Sequence, residues 1–136
     1  MSIFGSLRNI IGGPQEESSL WGQPQTESEI DKILGRSGKP QVIYKHSYSC
    51  AVSLFAKSSL ESDLESAAEK ADLYLINVIA QRPLSNAVAA KTGVRHESPQ
   101  LLVIHDGDVF WSASHGSVRA DKLLEALNEL ENSNQP

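Results

Sequence analysis

The sequence predicts an α/β fold: a four-stranded mixed sheet flanked by helices. Three observations carry this expectation. Short apolar runs of strand length alternate with segments whose apolar residues recur every three or four positions. The first two strand-like runs are separated by a helix-length segment, which suits a parallel crossover. The last two are separated only by Asp106-Gly107, a two-residue hairpin signal, so they pair antiparallel.

Residues 1–25, rich in Gly, Ser, Pro, Gln and Glu, form an N-terminal extension. Ile3, Phe4, Leu7, Ile10 and Ile11 make a short amphipathic pattern that Gly12-Gly13-Pro14 interrupts. This tail is either loosely docked, through Leu20 and Trp21, or an arm without fixed structure. The domain proper is placed at 26–132. It opens with a short helix capped by Thr26 or Ser28, with Ile30, Ile33 and Leu34 on one face and Gly35 and Gly38 at its end. Strand one is placed at 41–45. A helix over 50–70 follows, burying Val52, Ala56, Leu60, Leu64, Ala67 and Ala71. Strand two, 73–79, is apolar enough to be covered on both faces. A second helix, 83–92, starts at Pro83 and stops at Gly93. Strand three is 101–105, and strand four is 109–111, with Phe110 and Trp111 in the core. The last helix turns Val118, Leu123, Leu124, Leu127 and Leu130 to one side. The order is β-α-β-α-β-β-α.

Composition narrows the function. The chain has 136 residues, enough for one domain with a core, and a net charge of −5, which leaves no basic footprint for nucleic acid. No stretch approaches the ~20 apolar residues of a membrane span. One cysteine excludes an internal disulfide and cannot complete a thiolate metal cage. The opening residues lack the apolar run of a secretion signal, which points to a reducing cytoplasm.

That single cysteine, Cys50, is the centre of the chemistry. It sits in His46-Ser47-Tyr48-Ser49-Cys50-Ala51-Val52-Ser53, on the turn from strand one to the following helix. A helix N-terminus offers free N–H groups and partial positive charge, both of which favour a thiolate. At the reference pKa roughly 3% of a thiol is ionised at pH 7, against roughly 90% at a pKa near 6. Free cysteine also often serves only to fill a core, but the polar flank of Ser47, Tyr48, Ser49 and Ser53 argues for an open site. Ser53 stands where a two-cysteine oxidoreductase would carry its second thiol. Pro99, in Ser98-Pro99-Gln100 before strand three, falls where a thioredoxin-like fold places a cis-proline facing its cysteine. Element order, cysteine and proline together give a thioredoxin-like core.

Three stretches together resemble one family: Tyr44-Lys45-His46-Ser47 leading to Cys50 and Ser53; Arg82-Pro83-Leu84-Ser85-Asn86 with Gly93-Val94-Arg95-His96-Glu97-Ser98-Pro99-Gln100; and Ser114-His115. They resemble the YtxJ-like monothiol bacilliredoxins over residues 28–130. The family commonly has proline after the cysteine, where this chain has Ala51. The resemblance implies a monothiol oxidoreductase that removes bacillithiol, or a similar small thiol, from mixed disulfides on client proteins. It implies no metal and no organic cofactor, with the small thiol as co-substrate. A monomer is expected, with the oligomeric state left open. Two alternatives stand beside it: a glutaredoxin-like iron–sulfur carrier, and a non-enzymatic redox sensor or interaction module.

Further roles follow from that reading. The Ser98 backbone would pair with the bound thiol, and Ser49 and Ser53 would flank it. Lys45, Arg82 and Arg95 would meet the malate carboxylates of bacillithiol, although each alone is as well explained as a solvated surface charge. His46 would stabilise the thiolate or bond Ser47, a structural histidine being the preferred alternative. Capping and loop bracing explain Arg82, Ser85 and Asn86 equally well. The spacing of His96, His105 and His115 matches no metal motif.

Overall fold

The computed structural model describes residues 18–133. The amphipathic pattern at residues 3–11 and the Gly12-Gly13-Pro14 break lie outside the described residues. The first helix, α1 (Glu27–Gly35), is capped by Thr26, whose hydroxyl accepts from the Glu29 N–H. Then come β1 (Gln41–His46), α2 (Ala51–Glu61), α3 (Leu64–Ala68), β2 (Asp72–Asn77), α4 (Arg82–Thr92), β3 (Gln100–His105), β4 (Asp108–Ser114), a 3₁₀ turn (His115–Ser117) and α5 (Ala120–Ser133). The strand order is β2-β1-β3-β4, with β1 parallel to β2 and antiparallel to β3, and β3 antiparallel to β4. This is the mixed sheet flanked by helices of a thioredoxin-like fold.

Strand alternation sorts the core into two layers. Val42 and Tyr44 of β1 face one layer, built with Leu60, Leu101, Leu123 and Leu127. Ile43 faces the other, built with Ile30, Ile76, Val88 and Leu102. All six residues of β1 are buried, because the strand is central and both its faces are covered. Trp21 joins the first layer; its indole N–H donates to Glu61 at 2.8 Å, while Leu20 stays exposed. Gly22 extends the β2 edge, donating to Leu73 O (2.7 Å) and accepting from Leu75 N–H (2.9 Å). A side chain there is barred, since a Cβ would stand 2.8 Å from the Tyr74 ring.

The structure departs from the sequence-based expectations in several places, strand four reaching Ser114 and Val118 standing before the last helix among them. The helix expected over 50–70 is two helices, broken at Ser62-Asp63. There the Ser62 hydroxyl donates to Ser59 O (2.6 Å) and Asp63 leaves helical geometry, as serine and aspartate do when they compete with the backbone ladder. Val52, expected in the core, is 44% exposed, because the buried face of α2 is the one that carries Ser53, Ala56 and Leu60. Strand two stops at Asn77, leaving Ile79 exposed. Phe110 is 40% exposed. Val103 pairs with Trp111 and Ile104 with Val109, so Phe110 is the extra residue of a bulge on an edge strand. Trp111 packs against the first layer. Asp106 and Gly107 both have positive φ (50° and 88°), the geometry of the tight hairpin turn.

Candidate active site

Cys50 is the N-cap residue of α2. Its N–H donates to Ser47 O at 3.3 Å, closing the turn out of β1, and its extended backbone (φ −114°, ψ 121°) aims the side chain back over the first helical turn. The thiol is partly exposed. Its pKa is held below the ordinary thiol value. The Ser53 backbone N–H is the largest cause, desolvation opposes it, and the Val52 N–H and Ser53 hydroxyl add smaller pulls. No full capping hydrogen bond forms in the thiol state, and the buried Ser53 hydroxyl makes none either. These donors therefore face an atom that accepts well only as an anion.

The opposite wall comes from β3. Lys45 pairs with Gln100, so the chain leaving β1 toward Cys50 and the chain entering β3 from Ser98-Pro99 lie at one end of adjacent strands. The Ser98-Pro99 peptide is cis. Pro99 O accepts from His115 N–H at 2.9 Å, and His115 Nε2 meets Glu97 Oε2 at 3.0 Å, tying this loop to the 3₁₀ turn. The Ser98 hydroxyl and Gln100 Oε1 are buried with no partner among the described residues. Ser49 lies exposed, its hydroxyl 3.2 Å from that of Ser47.

His46 is not a thiolate partner. The Tyr44 hydroxyl donates to Ser53 O at 2.9 Å and lies 2.8 Å from His46 Nδ1, so Nδ1 carries the hydrogen and donates to Tyr44. The ring is fully buried, bonds Tyr44 rather than Ser47, and meets Tyr48 edge-on at 4.2 Å. Burial, and then the Lys57 charge, lower its pKa to about 4, so it is neutral near pH 7. The folded pKa lies below that of the unfolded chain, so the native state binds fewer protons. The stabilisation is complete above pH ~6.5 and is lost as pH falls toward 4, reaching about 3 kcal/mol. A His46→Gln protein is expected to lose less stability than wild type between those limits by urea unfolding. Parallel losses would contradict this assignment.

Lys45 is not on the surface. Strand alternation turns it to the α4 side, fully buried, where Nζ donates to Ser85 O at 3.0 Å and lies 3.4 Å from His96 Nδ1. Burial, and then Arg82, lower its pKa to about 8. It cannot touch a bound ligand's carboxylate without rearrangement. Arg82 and Arg95 are exposed. Arg82 is fixed by His96, which the sequence offered only as a rejected metal ligand; Nη1 lies 2.9 Å from His96 Nε2. Among the described residues no group of His, Cys, Asp and Glu is gathered to hold a metal ion.

Exposed apolar side chains on the helix that Cys50 caps, and at the same end of the sheet, are not signalled by periodicity alone. Val52, Leu54 and Phe55 on α2 are exposed, Phe55 by 74%, and Ile79 leaves β2 at the same end of the sheet. A groove of about 440 Å³ runs from Val52 and Phe55 to His115 and Gly116.

Comparison with known proteins agrees with this geometry. The family described as monothiol bacilliredoxin BrxC matches residues 23–123. A solved structure described as a candidate oxidoreductase with a thioredoxin fold superposes with a TM-score of 0.70 at 27% identity, covering 79% of this chain and 93% of that one. A thioredoxin of Malassezia sympodialis (Mala s 13) gives a TM-score of 0.65 at 15% identity, covering 87% and 96%. Oxidised mitochondrial thioredoxin 3 of Saccharomyces cerevisiae gives 0.62 at 15% identity, covering 82% and 99%. The two thioredoxins show likeness of fold alone.

Proposed function

The chain belongs to the monothiol bacilliredoxin BrxC family, and on that premise we propose that it frees client proteins from bacillithiol by exchange through Cys50. The observation that carries this reading is the lone thiol at the N-cap of α2, its anion favoured by the Ser53 N–H, with a serine where a second thiol would stand. The Cys50 thiolate attacks the bacillithiol sulfur of a client mixed disulfide. The client–bacillithiol S–S bond breaks and a Cys50–bacillithiol disulfide forms. The client thiolate leaves and takes a proton from solvent. A second bacillithiol thiolate then attacks the adduct, releasing oxidised bacillithiol and Cys50 thiolate.

Other groups assist. Ser98 offers its backbone to the ligand, and the rim of Val52, Phe55 and Ile79 offers apolar contact to a client chain. Ser49 flanks the turn, and Arg82 and Arg95 are the cations open to the malate carboxylates. No cofactor beyond the small thiol takes part, a monomer is the expected form with the oligomeric state left open, and the reducing cytoplasm is the matching compartment.

Intact mass after exposure to oxidised bacillithiol and oxidised glutathione, side by side, tests the reading. One bacillithiol per chain is expected at Cys50, loaded faster than glutathione. No adduct from either would refute thiol exchange, and equal rates at low salt would refute the bacillithiol assignment.

A further inference from the structure

We infer that Arg82, aimed by His96 beside the buried Lys45, forms a subsite for a carboxylate borne by the small thiol or disulfide that reaches Cys50. The inference rests on the exchange reading above; it singles out Arg82 from the two exposed cations and adds His96 as the residue that positions it.

The geometry begins at His96. A guanidinium only donates, so Nε2, 2.9 Å from Arg82 Nη1, must accept. Nδ1 then carries the hydrogen and donates to the Ser85 hydroxyl at 3.0 Å. Lys45 Nζ is therefore left with Ser85 O as its one acceptor among the described residues, at 3.0 Å, and with the Nδ1–H at 3.4 Å as a neighbour it cannot bond. A neutral His96 thus spans two cations and holds the exposed one in a fixed direction.

This cluster is short of negative charge. Among the described residues, Lys45, Arg82 and Arg95 form no ion pair; Lys32 and Lys122, both exposed, form none either, whereas Arg36, Lys39, Lys57, Lys70, Lys91 and Arg119 each do. Glu97, the adjacent carboxylate, is turned to His115. Arg82 opens α4, where the helix dipole disfavours a cation, and no acidic residue offsets it in that turn. A buried ammonium without a carboxylate is costly as well. The chain carries net charge −5, so the cluster is not a by-product of general basicity. Locally unfavourable choices gathered at one place are expected where function requires them, and one bound anion offsets all of them.

Position ties the anion to Cys50. His96 lies two residues before Ser98 in the loop that forms the site's far wall. The N-termini of α2 and α4 follow β1 and β2, which are parallel, so both open at the same end of the sheet. A small molecule lying along Ser98 with its sulfur toward Cys50 would bring its other end to Arg82.

The test uses the full chain and three small disulfides of different charge: dithiodipropionate, neutral hydroxyethyl disulfide and cationic cystamine. Each reaction joins one probe sulfur to Cys50 Sγ and expels the other as a thiolate, read by intact mass. The ratio of dithiodipropionate to hydroxyethyl disulfide rate constants is expected to fall about tenfold in Arg82→Gln, the scale of one charge-assisted hydrogen bond. It should fall in His96→Leu and recover in His96→Gln, whose amide oxygen still accepts from Arg82. The cystamine ratio should move the opposite way. Arg36→Gln, an exposed cation paired with Asp72, should leave the ratio unchanged. An unchanged ratio in Arg82→Gln would overturn the subsite. Failure of all three probes to load Cys50 would instead overturn the exchange reading.

Discussion

Replacing Cys50 by serine is expected to take release of bacillithiol from a client mixed disulfide from catalytic to undetectable without unfolding the protein. Exchange needs a thiolate, and a serine hydroxyl is not ionised near pH 7. The position is an N-cap, where serine is among the favoured residues and cysteine in this structure makes no capping hydrogen bond. Stability should therefore hold or rise by up to about 1 kcal/mol. That combination separates the chemistry from the packing. If Cys50 served only to fill space, serine would lower the unfolding midpoint and leave release at the wild-type rate. Continuous release of a labelled bacillithiol, read beside a urea titration of the same sample, distinguishes the two.

The elements of the fold are legible in the sequence where one local signal acts alone. Thr26 caps α1 because its hydroxyl can accept the Glu29 N–H, and Gly93 ends α4 and Asp106-Gly107 turns the hairpin because only a few residues tolerate their positive φ. Where layers decide the outcome, local signals fail. Lys45 ends the apolar run Val42-Ile43-Tyr44, and its type alone suits a ligand cation or a solvated surface charge. In the structure β1 is central, so every second residue passes under α4 and Lys45 goes with Ile43. Alternation alone could have paired those two, but only the strand order shows that both faces are covered. Phe110 lies outside the core for a related reason: a bulge is a property of register between two strands, invisible in either one. At the site, Cys50 and Ser53 declare themselves by type and spacing. His96 does not, because its role depends on Arg82 lying fourteen residues away and on a neutral tautomer that only the contacts define.

Converting Ser53 to cysteine is expected to turn a stable adduct into a self-releasing one. Cys50 caps α2 and Ser53 lies three residues on, so their side chains share one face of the first turn. The Ser53 N–H already favours the Cys50 anion, and the Ser53 hydroxyl is fully buried with no hydrogen-bond partner among the described residues. A thiol there would sit beside the Cys50 sulfur without displacing an existing bond. In wild type the Cys50–bacillithiol disulfide has no internal attacker and should persist until external thiol is added. In Ser53→Cys the new thiolate attacks the Cys50 sulfur, bacillithiol leaves as its thiolate, and an intrachain disulfide remains. Release should be slow near neutral pH, since burial raises a thiol's pKa, and should quicken as pH rises. With excess small thiol removed by desalting, intact mass should show the adduct disappearing and a chain two hydrogens lighter than the reduced variant taking its place. An adduct as durable as wild type's across that pH range would mean that residue 53 does not reach Cys50, and that the second-thiol position of this turn has been misassigned.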